Sequence, residues 1–141
     1  MWPQGQSADA VLALGLGKMD EFNKDSCEFR LAIKSAEFDI LSAMLANGNL
    51  NDATWGRGVL AKYIVALRTA CVDVAMFHNN NNLLTMLETQ YNTYKNYYDG
   101  DRRALSWYAL ARCTAGEAVG SDIITRLTAT PGTYSMGVGK L

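Results

Sequence analysis

The sequence has 141 residues, 49% of them apolar, so it can bury the core of one domain but is too short for two. A formal net charge of −1 argues against a strongly basic nucleic-acid-binding protein, and every apolar run is far shorter than the ~20 residues of a membrane span. Acidic residues outnumber basic ones in residues 1–54 and the reverse holds in residues 55–141, which is typical of a polarised surface between like subunits.

The cysteines are few and widely separated. Cys27, Cys71 and Cys113 are odd in number, and no two of them have the spacing of metal ligands. We therefore expect reduced, partly buried thiols and no metal or other cofactor. Reduced thiols fit synthesis in the cytoplasm, and the N-terminus lacks the basic and then apolar pattern of a signal peptide.

The first third of the chain predicts two helices. Ser7 is a suitable N-cap for a short helix that ends at about Gly15. Asp25 precedes a long helix, and Gly48 supplies its end. The apolar residues of the long helix are mostly three or four apart, which indicates an amphipathic helix: Phe29, Ile33, Ala36, Ile40, Met44 and Leu45.

The middle of the chain predicts two further main helices. Residues 49–58 are rich in Asn and Gly and indicate a loop. An apolar periodicity over residues 59–78 predicts the second long helix, which a run of four asparagines follows. Asn82, the last of the four, is a suitable N-cap for a third main helix over residues 83–98, and Gly100 ends it.

The C-terminal part of the sequence has a different character. Residues 101–118 have a weak periodicity and predict one more short helix. Residues 121–141 are rich in Thr, Gly and β-branched residues and contain the turn signal Pro131-Gly132, so we expect an extended tail or a short strand or hairpin. The predicted fold is all-α, a small bundle of three main helices plus short helices in residues 1–120, followed by an extended C-terminal arm in residues 121–141.

The sequence contains no convincing pattern of a catalytic or phosphate-binding site. The single histidine, His78, is predicted at a helix end, where capping or a surface position accounts for it. The Gly-x-Gly-Lys segments at 15–18 and 137–140 lack the strand, helix and hydroxyl residue that a phosphate-binding loop requires. Glu37 and Asp39 project from different sides of their helix. We therefore expect a protein without enzymatic activity.

The extended arm is the strongest candidate for protein contacts. Ordering such a tail costs roughly 1–2 kcal/mol per residue in backbone entropy, so neighbouring chains are expected to hold it. Strand addition, or binding along a neighbour's groove, would bury its apolar residues. The predicted interface residues are Ile123, Ile124, Leu127, Pro131, Tyr134, Met136, Val138 and Leu141.

Five residues outside the arm are possible subunit contacts. Tyr97 is the expected outward member of a tyrosine-rich helix face, and tyrosine is favoured at interfaces as well as in half-buried core positions. Trp55 and Trp107 either anchor a partner or cover the edge of their own core. Arg102 and Arg103 are either solvated or form salt bridges between subunits.

The helix-forming segments follow one another in a characteristic order and spacing: Ala10-Val11-Leu12, Leu16-Gly17, Met19-Asp20-Glu21-Phe22, Leu31 through Ile40, Leu67 through Ala75, and Leu87 through Tyr91 with Tyr94 and Asp99-Gly100. Over roughly residues 7–105 this order and spacing resemble the head–tail connector (adaptor) family of tailed bacteriophages. Two segments depart from that pattern: residues 101–120 suggest an extra helix, and residues 49–58 contain no proline.

The resemblance implies a subunit of the phage neck, made in the host cytoplasm and located in the virion. Such a subunit would form a ring of about twelve copies that joins the portal protein to the next neck or tail protein. DNA would pass through the ring without specific binding, which suits a nearly neutral chain. The arm would reach the portal or a neighbouring copy, and no membrane is involved.

Two alternatives stay open from the sequence. The first is another virion structural protein, such as a tail-completion protein. The second is a small helical DNA-binding regulator, because Arg57, Lys62 and Arg68 lie along one predicted helix, although no turn and recognition helix accompany them.

Overall fold

A computed structural model describes residues 6–16, 27–51 and 54–129 of the chain. Within these ranges the chain forms helices and no strand, which confirms the all-α prediction. The helices are α1 (Gln6–Leu16), α2 (Cys27–Asn47), α3 (Val59–Thr69), α4 (Leu83–Thr93), α5 (Lys95–Gly100), α6 (Arg102–Thr114) and α7 (Ser121–Leu127).

Helix α3 is the centre of the core, because it is apolar on nearly every side. Its residues 63–67 are all buried, and it packs against both α1 and α6. Gly58 precedes the helix with a positive φ of 95°, and a Cβ atom there would lie 3.2 Å from the Cα of Ala104. Glycine therefore allows the start of α3 to approach the backbone of α6 closely.

Helices α1 and α2 form one side of the bundle. Gly15 of α1 faces α2 and α3, since a Cβ there would lie 3.1 Å from Thr69 Cγ2 and 3.4 Å from Phe29 Cε2. Phe29, Ala36 and Ile40 of α2 are buried, as their spacing predicts. Leu45, which we expected on the same face, is 89% exposed, so the predicted core face of α2 was wrong at that residue.

The second long helix is shorter than predicted. It ends at Thr69, not at His78, because the N–H of Val72 donates to Leu67 O and the N–H of Cys71 to Arg68 O. These two hydrogen bonds form a Schellman motif, and Cys71 adopts the left-handed conformation (φ 62°) that glycine usually supplies there. The helix therefore ends without the glycine signal that a sequence pattern would show.

The asparagine run forms a tight turn between α3 and α4. Asn79 and Asn80 both have positive φ, and Phe77 and Asn81 exchange backbone hydrogen bonds of 2.9 and 2.7 Å across the turn. Asparagine is favoured at such positions. The Asn82 side chain accepts hydrogen bonds from the N–H groups of Leu84 and Thr85, which confirms the predicted N-cap of α4.

The predicted third helix is divided at Tyr94 into α4 and α5, and α6 follows as a well-packed helix of 13 residues. Tyr91 and Tyr108 stack with ring centres 4.2 Å apart, and Tyr98 is fully buried beside them. The Tyr108 hydroxyl donates to Glu88 at 2.5 Å, which ties α6 to α4. Because the apolar periodicity of residues 101–118 is weak, only a short helix was predicted there, and its close packing was not expected.

Residues 121–127, which were predicted as the start of the extended C-terminal arm, form helix α7 (Ser121–Leu127) rather than extended chain. Ile123 is buried against the core, and Arg126 forms an ion pair with Asp99. In this short helix Ile123 and Leu127, four residues apart, face the core on one side.

The three thiols are free, as expected, but they are exposed rather than partly buried. Cys71 lies at the end of α3 and Cys113 near the end of α6, where side chains point to solvent.

Candidate functional site

The predicted contacts of the arm fall into three groups. Ile123 is part of the core of its own domain, so it has no free surface to offer a partner. Leu127 is partly buried against that core, whereas Ile124 is 51% exposed. The remaining members lie outside the described residues: Pro131, Tyr134, Met136, Val138 and Leu141.

Two of the five possible subunit contacts are occupied within the chain. Trp55 is buried, and its ring centre lies 5.0 Å from that of Tyr63, so it covers its own core. The Arg102 guanidinium donates from Nη2 to the carbonyl of Ala129 at 2.7 Å and fastens the segment after α7. Trp55 is therefore part of the core, and Arg102, which is partly exposed, is engaged by its own chain.

The other three lie together in one cleft of about 200 Å³ between α3, α5 and α6, which we name the α3–α6 cleft. Tyr97 comes from α5, and Arg103 and Trp107 come from the first half of α6. The start of α3 forms the opposite wall. The complete lining is Arg57, Gly58, Val59, Lys62, Tyr97, Asp101, Arg103, Ala104 and Trp107.

Cationic side chains dominate the α3–α6 cleft. Arg57 stacks on Tyr97, with Cζ 4.8 Å from the ring centre, and Lys62 forms an ion pair of 2.5 Å with Asp9. Neither Arg57 nor Arg103 forms an ion pair with any carboxylate of the described residues. The cleft therefore has two guanidinium groups available for an anion.

Among the described lining residues of the α3–α6 cleft, the carboxylate is that of Asp101, and it is engaged by its own helix. Asp101 is buried and accepts hydrogen bonds from the N–H groups of Arg103 (2.9 Å) and Ala104 (3.3 Å), so it caps α6. Burial raises the pKa of Tyr97, and a hydrogen bond with Asp101 raises it further. The Tyr97 hydroxyl is therefore held in its neutral form at the edge of the cleft.

A second surface is the side of α2 that points away from the core. Leu31, Phe38 and Leu45 are seven residues apart and are 66%, 65% and 89% exposed. Seven residues bring a helix back to nearly the same side, whereas Phe29 and Ala36, each two residues earlier, lie about 200° away in the core. We name these three residues the outer face of α2.

Two shallow grooves meet at Leu31, at one end of the outer face of α2. One of about 420 Å³ runs along Cys27, Arg30 and Lys34, and one of about 350 Å³ lies between α1 and α2 beside Ala10 and Leu14. Side chains of another protein can enter such grooves. A helix that is apolar on two opposite sides is typical of a helix buried on both sides.

The outer face of α2 was not predicted from the sequence, because Leu45 was expected on the core face of the helix and Phe38 was not singled out. The signal was present, because three large apolar residues repeat at a spacing of seven beside a core-facing set with the same spacing.

His78 lies in an ion-pair cluster rather than at a helix end. Its Nε2 atom is 3.3 Å from Glu37 Oε2, and Lys34 Nζ is 3.1 Å from the same oxygen. Glu37 is a nearly buried residue of α2, so the cluster links α2 to the turn before α4. The chemistry of this group is structural, since it fastens two elements together.

Within residues 6–16, 27–51 and 54–129, no group of three or more His, Cys, Asp or Glu side chains is placed to hold a metal ion. The described helices include none with the length and apolar character needed to cross a bilayer. In comparisons with known proteins, no family model, no curated protein and no solved structure matches the chain.

Proposed function

We propose that this chain is a structural subunit of a tailed-phage neck, which assembles into a ring that joins the portal to the tail and surrounds the DNA channel. The single observation that supports an assembly role is the outer face of α2. The proposal that this assembly is a phage neck rests on the resemblance of the sequence to the head–tail connector family.

The area of the outer face of α2 favours a repeated contact over an isolated dimer. Burying the exposed parts of its three side chains would contribute roughly 3–7 kcal/mol. Association itself costs an estimated ~4–15 kcal/mol, so one such contact alone gives a weak complex. A closed ring repeats the contact around its circumference and engages each copy twice, which stabilises the whole assembly.

The occupant that we propose for the outer face of α2 is a neighbouring copy of the chain. Among the described residues, α1 and α2 carry four carboxylates and two cationic side chains, whereas residues 54–129 carry eight cationic side chains and six carboxylates. A head-to-tail contact places the α2 side of one copy against the α3–α7 side of the next and brings opposite charges together. Head-to-tail contacts close into rings when the rotation between copies permits it.

The regulator alternative has less support. Of the three cations that suggested it, Lys62 is paired with Asp9, and Arg68 donates from Nε to the carbonyl of Thr114 at 3.3 Å. A protein that holds duplex DNA needs several cations free to neutralise phosphates.

The test compares Phe38→Glu with Ala46→Glu in native mass spectrometry, with the cognate portal protein present. Both positions are exposed on α2, but Ala46 lies to the side of the outer face, so it is the matched control. We expect rings for the wild type and for Ala46→Glu, and monomers for Phe38→Glu, because a charge at the centre of the contact loses its hydration on assembly.

Circular dichroism should show the same helix content for both variants. Rings of Phe38→Glu would rule out the outer face of α2 as the contact. A wild-type chain that stays monomeric beside the portal would refute the connector function itself.

A further inference from the structure

We propose that the α3–α6 cleft binds an acidic side chain, Asp or Glu, of a partner protein. This site lies on elements other than α2, and it stands whether or not the chain forms a ring through the outer face of α2. The proposal begins from the two arginines, Arg57 and Arg103, that approach the cleft from different elements.

The position of Arg57 is set before any ligand arrives. Its guanidinium lies over the Tyr97 ring at 4.8 Å, and a guanidinium held on an aromatic face keeps its N–H edge free for an acceptor. A carboxylate accepts two parallel hydrogen bonds from such an edge. The stacking thus lowers the entropy that a flexible arginine would lose on binding.

The surroundings of the α3–α6 cleft add positive potential. Arg103 stands across the cleft on α6 without a carboxylate partner among the described residues, whereas the charge of Lys62, which also lines the cleft, is largely offset by its ion pair with Asp9. Helix α3 starts here with Gly58 as N-cap and without a side-chain cap, so the positive end of its dipole faces the same space. Asp101 contributes one negative charge, but its carboxylate accepts the N–H groups of α6 and forms no ion pair with Arg57 or Arg103, so the two arginines leave the cleft with a net positive charge.

The size and the walls of the α3–α6 cleft favour a protein side chain over nucleic acid. About 200 Å³ accommodates one acidic side chain with its neighbours, whereas duplex DNA needs a row of cations along its backbone. Tyr97 and Trp107 border the opening, and aromatic residues beside arginine are typical of the centre of protein interfaces.

The experiment uses the full chain and a fluorescein-labelled peptide of alternating Glu and Gly, with a peptide of alternating Gln and Gly as the neutral probe. Fluorescence anisotropy measures affinity for the wild type, Arg57→Gln, Arg103→Gln and the control Arg30→Gln, an exposed arginine of α2. We expect the Glu peptide to bind, the Gln peptide not to bind, and each cleft variant to lose about tenfold in affinity. Arg30→Gln should bind like the wild type.

Two competitors separate the sources of negative charge. Inorganic phosphate should displace the Glu peptide at high concentration, since it offers the same acceptor chemistry, and a short DNA duplex should bind more weakly than the peptide. Tighter binding of the duplex, with the same loss in Arg57→Gln, would assign the cleft to nucleic acid and overturn the proposal. Equal binding of the Glu and Gln peptides, or unchanged affinity in both cleft variants, would also overturn it.

Retained binding of the Glu peptide by Phe38→Glu is expected, because that residue lies on another surface. Loss of rings in Phe38→Glu and loss of peptide binding in Arg57→Gln are therefore independent results, and either proposal can fail without the other.

Discussion

Tyr98 joins the start of α3 to α5 through one buried hydrogen bond. Its side chain is fully buried, and its hydroxyl oxygen accepts the N–H of Gly58 at 3.0 Å. Burial raises the pKa of Tyr98 to about 12. The pKa of Tyr108 is also raised, first by burial and then by its hydrogen bond to Glu88. These two phenols make the fold sensitive to alkaline pH.

We predict that stability falls as the pH rises above about 10. The folded state binds the phenol proton more tightly than the unfolded chain, whose tyrosines ionise near pH 10, so the stabilising contribution is complete below that pH. For Tyr98 it is lost between about pH 10 and 12, at up to about 1.4 kcal/mol per pH unit. Urea unfolding midpoints across this range measure the loss.

Tyr98→Phe gives the corresponding test at one residue. The variant leaves the Gly58 N–H without its acceptor, which should cost about 1–3 kcal/mol at neutral pH. It should also lose less further stability than the wild type between pH 10 and 12. An identical slope in the two proteins over that interval would show that Tyr98 does not cause the alkaline loss.

At the scale of one element, the end of α3 is strained at Cys71. A residue with a side chain costs roughly 1–2 kcal/mol in the left-handed conformation, whereas glycine adopts it freely. We therefore predict that Cys71→Gly stabilises the protein by up to about 1 kcal/mol, after allowance for the greater freedom of glycine in the unfolded chain. Chemical denaturation measures the change.

Cys113→Gly is the matched control, since it makes the same substitution at another exposed cysteine, inside α6. Glycine is less favourable than cysteine within a helix, so this variant should be less stable than the wild type by a few tenths of a kcal/mol. Equal changes in the two variants would mean that the conformation of Cys71 has no energetic consequence.

Some element ends were predictable from a single residue, although Ser7, predicted as the N-cap of the first helix, lies inside α1. Asn82 as an N-cap and Gly48 after α2 both match their sequence signals. The end of α3 was not predictable, because Cys71 occupies the position where a glycine would have shown it, and apolar residues continue beyond it. Only a short helix with weak periodicity was predicted at α6. Its stability comes from packing on α3 and from stacked tyrosines, and neither contact is visible in the local sequence pattern.

The candidate site was predictable only in parts. Tyr97, Arg103 and Trp107 could be singled out by residue type and position. That Arg57 lies beside these residues could not be predicted, because it precedes Tyr97 by 40 residues in the sequence. The two side chains meet because Gly58 allows the start of α3 to approach Ala104 closely. The spatial grouping that makes an anion site is thus a product of the tertiary fold.

At the scale of the whole molecule, the two candidate surfaces, the outer face of α2 and the α3–α6 cleft, are formed by different helices. The outer face of α2 lies on the helix that packs against α1, and the α3–α6 cleft lies where α3 packs against α6. A subunit of a closed ring contacts two neighbours through two different surfaces. The arrangement around α3 is therefore suited to an assembly in which each copy has more than one partner.

The last prediction concerns the stability of chains that are truncated at the C-terminus, and it tests where the folded domain ends. Deleting residues 121–141 removes Ile123 from the core and Arg126 from its ion pair with Asp99. Loss of the buried side chain alone should cost roughly 1.5–3 kcal/mol. Deleting only residues 130–141 keeps α7 and the hydrogen bond from Arg102 to Ala129, so stability should change by less than about 0.5 kcal/mol.

Urea unfolding of the two truncated chains measures this difference, and native mass spectrometry with the portal tests assembly. We expect the shorter deletion to leave a stable domain that no longer enters rings, because Tyr134, Met136 and Val138 are the predicted contacts of the arm. Rings formed by that chain would contradict the role of the arm while leaving the outer face of α2 as the contact. Equal stability of the two truncations would show that α7 adds nothing to the core and that the domain ends before Ser121.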